Sequence, residues 1–175
     1  HLVVGDSGWQ LPIPVIKTSA GWQFDIKEGA EEILTREIGR NELAAIEALH
    51  AYVDAQQSYF AMNQKYAQKI VSSKGKKDGL YWPASPGEAP SPLGPAFSPK
   101  EPGTGYHGYR FRILPDNHGF AMVAWPVSYG QTGVMSFVIN QDDKVYQSDL
   151  GSDSEQKARA LAAYNPDKTW QPAAP

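Results

Sequence analysis

The 175-residue chain has no cysteine, which excludes disulfides, thiol nucleophiles and thiolate metal sites. It has no surplus of positive charge either. Sixteen Lys and Arg stand against nineteen Asp and Glu, a net charge of −3, which speaks against nucleic acid or an anionic membrane as the main partner. Long apolar runs are also missing. The longest, residues 120–127, is interrupted by Pro126 and is far too short to cross a bilayer. Methionine is scarce and charged residues make up 20%, an ordinary globular composition rather than a disordered one. What is plentiful is glycine and proline, 16 and 14 residues, and that excess predicts long loops. The length suits one domain with a core large enough to need no covalent staples.

Residues 1–20 contain Pro12 and Pro14 without a helical period and read as an N-terminal arm or tail. His1 reads as the start of a processed or engineered chain. A single α+β domain is expected over residues 21–170, with residues 171–175 as a C-terminal tail. Asp25 and Glu28 have the spacing of a capping box, opening a helix over residues 25–38 that stops at Gly39. A longer amphipathic helix follows from Asn41 to about Met62. It presents Ile46, Leu49, Val53 and Phe60, with Tyr52 and Tyr59 widening the stripe. A short helix is read over residues 65–71. Seven prolines crowd residues 83–102, too dense for helix or central strand. This loop is nevertheless expected to be ordered, with Trp82, Leu93 and Phe97 docked on the domain.

Beyond it the period changes to two. Strands are predicted over residues 109–113, 120–127 and 134–139. A tight turn at Asn140-Gln141-Asp142-Asp143 leads into a fourth strand over residues 144–147. Ser152 and Glu155 form a second capping box before a helix over residues 153–164. Helix first and antiparallel strands afterwards is the α+β order, with the long helix packed on the sheet.

The pattern resembles a bacterial family known as domain of unknown function 2950. The resemblance is carried by Ile38-Gly39-Arg40-Asn41-Glu42-Leu43, Ala51-Tyr52-Val53-Asp54-Ala55-Gln56 and Asp78-Gly79-Leu80-Tyr81-Trp82-Pro83. It continues through Ser91-Pro92-Leu93-Gly94-Pro95, Tyr106-His107-Gly108-Tyr109, Trp125-Pro126, Gly133-Val134-Met135 and Tyr146-Gln147-Ser148-Asp149-Leu150-Gly151. It spans roughly residues 21–170. The family resemblance implies an exported protein, periplasmic or secreted, made with a signal peptide ahead of the domain and without an established activity. Two departures stand out: the insertion usual before Gly119 is reduced to residues 115–118, and the loop after Phe60 is short. The order of elements is also similar to the globular domains of type IV pilins and type II secretion pseudopilins, here a pilin-like domain without the membrane helix.

Gly103-Thr104-Gly105-Tyr106-His107-Gly108 spells G-x-G-x-x-G, but it follows a proline loop and enters a strand, where a dinucleotide fingerprint must open a helix. No motif calls for a cofactor. No two of the four histidines have the spacing of a helical zinc site; His50 faces Asp54 one turn on, while His107 and His118 flank a strand and a turn near Asp116. Asp142, Asp143 and Asp149 are metal candidates, though aspartates also populate such turns for their backbone tolerance. Lys74, Lys76 and Lys77 read as a solvated loop. Aromatic residues near loops and strand ends give the best lead: Tyr81, Trp82, Tyr106, Tyr109, Trp125 and Tyr129, with His107 beside them. Such rings bind peptide or glycan, or they pack the proline loop on the sheet. The expected function is therefore a non-catalytic binding or structural module of the bacterial envelope, its partner another envelope protein, a peptide or a glycan. The alternative is an envelope hydrolase using His107 or His118 with a nearby carboxylate.

Overall fold

The computed structural model describes residues 2–95, 105–115 and 119–173. They fall into two compact units, residues 1–40 and 41–175.

The first unit is built of hairpins and the start of a helix. Strands β1 (Val3–Val4) and β2 (Trp9–Gln10) pair antiparallel, as do β3 (Val15–Thr18) and β4 (Gly21–Phe24). The stretch read as an arm is thus folded on itself. The β3–β4 turn is closed by the Thr18 hydroxyl, which donates to the Gly21 carbonyl at 2.9 Å and accepts from Ala20 N–H. Helix α1 (Ile26–Asn63) starts where the capping residues predicted: Asp25 Oδ1 accepts the Glu28 N–H at 3.1 Å.

The predicted break at Gly39 is absent, and α1 runs on through it for 38 residues. A glycine stops a helix by taking a left-handed backbone angle; Gly39 keeps helical angles. An interior glycine costs only about 1 kcal/mol against alanine, less than the downstream half of the helix gains by packing.

In the second unit that half buries Ala45, Ala48, Leu49, Tyr52, Val53, Ala55, Gln56 and Tyr59. The stripe keeps Leu49, Tyr52, Val53 and Tyr59 as expected and adds Ala45 and Gln56. Phe60, expected inside, is 38% exposed, and Ile46 is only partly buried against the core. The helix expected over residues 65–71 does not form. Gln64 takes a left-handed φ of 54° just past α1, and the Gln56 side chain then occupies both backbone groups of Ala67. Neither group is left for a helical ladder.

Five antiparallel strands form one sheet in the order β5 (Tyr109–Leu114), β6 (Ala121–Pro126), β7 (Met135–Asn140), β8 (Tyr146–Asp149) and β9 (Gln171–Pro172). All six residues of β6 are buried, as an apolar strand covered on both faces requires. On one face Tyr109, Met122, Ala124, Phe137 and Ile139 join the buried residues of α1 in the main core. On the other, Leu114, Ala121, Val123, Trp125 and Val138 pack with Ala158 of α2 (Ser154–Ala160). Chemistry and topology agree on the α+β class.

Smaller differences have local causes. β8 begins two residues later than predicted because Asp143 adopts a left-handed φ of 57° and lengthens the turn. Residues read as a tail supply β9, and just after it the Ala173 N–H donates to the Val145 carbonyl. α2 is capped by Asp153 in place of Ser152, with no side-chain cap bond, because Glu155 is drawn to two arginines instead. It ends at Ala160 rather than residue 164: Arg112 donates to the carbonyls of Ala158 and Leu161 at 2.7 and 2.8 Å, satisfying the end of the helix with a cation. Of the proline loop, Trp82 and Leu93 are 6% and 3% exposed and belong to the main core, and Leu93 N–H donates to the Leu80 carbonyl. Phe97 lies outside the described residues.

Candidate functional site

The aromatic residues singled out by sequence separate into three places. Tyr106 and Tyr109 meet Trp125 around a cleft of about 470 Å³ along β5. Trp82 lies under the Lys77 ammonium, 5.5 Å from the ring centre, at a smaller cleft of about 300 Å³. Tyr81, half-buried, is tied by its backbone to Ile70 and Ser72. Tyr129 lines neither cleft and donates to Asp149 at 3.1 Å.

Tyr109, which borders the cleft, is locked into the fold. It is fully buried, its hydroxyl donates to the Met135 carbonyl at 2.8 Å, and a Cβ on Gly133 would overlap that hydroxyl. Burial, helped by the charge of Glu42, pushes its ionisation well above the usual range. His107 is exposed at a left-handed φ of 46°, with its ring edge-on to Tyr106 at 4.4 Å. Gly105 and Gly108 share that positive φ, so the described part of G-x-G-x-x-G is a turn leading into β5 and opens no helix. His118 and Asp116 lie outside the described residues.

The three metal candidates do not converge. Asp142 accepts from the Asn140 side chain, Asp149 from Gly151 N–H and Tyr129, and Asp143 pairs with His50 at 2.6 Å. His50 therefore meets a residue 93 positions away and not Asp54. Helix spacing alone cannot show such a contact. Among the described residues no group of three or more His, Cys, Asp or Glu is placed to hold an ion.

The polar groups that do gather were not foreseen. Beside the cleft, Glu155 accepts from Arg110 at 2.6 Å and from Arg159 at 3.0 Å. The Arg159 guanidinium lies 5.6 Å from the centre of the Trp125 ring, within the range of a cation–π contact. Arg112 joins them, its Nε buried without an acceptor among the described residues, and the same holds for Nε1 of Trp125. Ile70, Val71 and Phe111 supply apolar wall. The sequence did hold a signal: Arg110 and Arg112 alternate along β5, Arg110 sits opposite Trp125 in register, and Glu155 and Arg159 are one turn apart.

The bond from Arg159, with the charge of Arg110 behind it, holds the Glu155 carboxyl below its usual range. A carboxylate clamped in its ionised form makes a poor general acid or base at neutral pH. No serine, threonine, histidine or lysine is among the described residues lining the cleft.

Lys74, Lys76 and Lys77 are exposed at the second cleft, with Lys77 over the Trp82 ring and 3.8 Å from Glu88, and an ion pair lies beside that loop. Lys69 Nζ bonds Asp78 at 2.7 Å, and Ser73 N–H donates to the same carboxylate at 2.7 Å. These bonds, Lys69 first, push the Asp78 ionisation far down. Its contribution to stability is present above the unfolded carboxylate range near pH ~4 and is lost as acid protonates the folded group. Asp78→Asn should thus flatten the acid limb of stability against pH, its urea midpoint approaching that of the native sequence toward pH ~2. Parallel curves from pH 7 downward would contradict this.

A family model described as "Protein of unknown function (DUF2950)" matches residues 1–118 and 116–173. No curated protein and no solved structure matches the chain. The two matched stretches meet at residues 116–118, inside the segment where sequence reading placed a shortened insertion.

Proposed function

Because the chain belongs to the DUF2950 family of proteins of unknown function, we propose that it is a non-catalytic binding module, exported to the bacterial envelope, whose ligand seats in the β5 cleft. One observation carries the reading: aromatic and apolar walls line a cleft of ligand size beside a cluster of arginines, with the carboxylate of Glu155 clamped by two of them. Peptides and glycans suit such walls, since rings give large contact area with polar edges. No described helix is long and apolar enough to cross a membrane, in keeping with a module that works beside a bilayer or away from it.

The test uses an array of short peptides and cell-wall glycans. Val71 is 41% exposed and lines the cleft, so Val71→Trp should obstruct it without unfolding the protein. Binding seen with the native sequence should fall about tenfold or more in that variant, the loss of a few good contacts. Tyr129→Ala should leave it unchanged. Undiminished binding in Val71→Trp would move the site elsewhere. Turnover in a hydrolase panel, abolished by one polar substitution, would overturn the non-catalytic reading. Osmotic-shock fractionation of the producing bacterium checks the export.

A further inference from the structure

Two buried donors in one cleft lack acceptors, and they are neighbours of the same arginine cluster. Native interiors leave few buried N–H groups unpaired, so Nε1 of Trp125 and Nε of Arg112 together ask for an acceptor that the described chain does not supply. The charges point the same way. The described charged groups of the cleft are Arg110, Arg112, Arg159 and Glu155, a positive surplus in a chain whose net charge is −3. Its remaining side-chain walls are Ile70, Val71, Phe111 and the rings of Trp125, Tyr106 and Tyr109.

Resting on the binding reading above, we propose that the β5 cleft recognises a carboxylate on an apolar ligand, of the kind presented by a short peptide C-terminus. Arg159 is the mobile part. Its side chain is 59% exposed and covers the Trp125 ring, so a swing about its own stem exposes the indole while keeping the guanidinium at the cleft mouth. A planar carboxylate then meets a fork of parallel N–H groups, the geometry that arginine offers best. The Trp125 indole N–H gains an acceptor. Arg110 stays with Glu155, and that retained carboxylate repels a doubly charged phosphate more than a singly charged carboxylate. A volume of about 470 Å³ accommodates a dipeptide-sized body.

The probes are N-acetyl-alanyl-phenylalanine, its C-terminal amide and phenyl phosphate, titrated into 15N-labelled protein. The Trp125 indole resonance is identified by Trp125→Phe. The free acid should shift the Trp125 indole and Arg112 Nε–H signals downfield and bind about tenfold or more tightly than the amide, as expected for a charge-assisted pair. Arg159→Gln, at an exposed position, should keep the fold and cut that preference to about twofold or less. Equal affinity for acid and amide, with cleft resonances moving, overturns the carboxylate inference and leaves the binding reading standing. Tighter binding of phenyl phosphate overturns it in favour of phosphate chemistry. Preference for the acid without movement of the Trp125 signal places the carboxylate elsewhere and overturns it too. Silence of every probe also overturns it, and a silent array would then remove the binding reading as well.

Discussion

Gln56→Ala is expected to lower the unfolding free energy by about 3–6 kcal/mol, as large a loss as any apolar truncation in the core. Gln56 is fully buried. Its Nε2 donates to the Ala67 carbonyl at 2.8 Å and to the Tyr52 hydroxyl at 3.0 Å, while its Oε1 accepts the Ala67 N–H at 2.9 Å. The Tyr52 hydroxyl in turn donates to the Ala121 carbonyl at 3.2 Å. One amide thereby joins α1, the loop after it and, through Tyr52, strand β6 of the sheet. Truncation leaves both backbone groups of Ala67 buried and unpaired, at roughly 1–3 kcal/mol each, and opens a cavity besides. Gln56→Met separates the two effects, since it fills most of the volume and removes every bond. Gln56→Glu keeps the acceptor and loses the donor, setting a carboxylate against the Ala67 carbonyl; it should be least stable at neutral pH and recover in part as acid protonates it. Urea denaturation reads all three. A loss below about 1 kcal/mol for Gln56→Ala would mean that the loop finds other partners.

The same amide shows where sequence reading stops. The strands after Tyr106 were legible because alternation and turn residues are local signals, and β6 announced itself by being apolar on both faces. The start of α1 was equally local, written in Asp25 and Glu28. Gln56 was not legible. A glutamine beside Gln57 on a helix looks like surface, and only the arrival of Ala67 makes it core. Gly39 misled for a related reason: a glycine permits a helix end, and tertiary packing decides whether the permission is used. The arginine cluster of the cleft joins Arg110 to Glu155 across 45 positions, so no window of sequence contains it. Of the aromatic residues singled out, Tyr106, Tyr109 and Trp125 line one cleft and Trp82 a second, while Tyr129 lines neither.

Leu49→Ala against Phe60→Ala tests the face of α1 directly, because the sequence stripe placed both inside and the structure buries one. Leu49 is fully buried in the main core with Ala45, Tyr52 and Val53, so its truncation should cost about 2–5 kcal/mol, the transfer of its methyl groups plus the cavity left behind. Phe60 is 38% exposed and meets Tyr66 at 4.8 Å between ring centres. Its loss gives up that ring contact and part of its buried area, about 1 kcal/mol. The difference arises from rotation about the helix axis. The stripe read from the sequence and the face that is buried share Leu49, Tyr52, Val53 and Tyr59, and they diverge where the first takes Phe60 and the second Gln56. The second costs more polar atoms, and the core accepts them because the Tyr52, Gln56 and Tyr59 side chains all find partners there. Chemical denaturation of the two variants, with slopes compared to confirm that each unfolds in one step, should order them with Leu49→Ala far the weaker. Equal losses would rotate the helix back to the apolar stripe and remove the burial of Gln56 on which the first prediction stands.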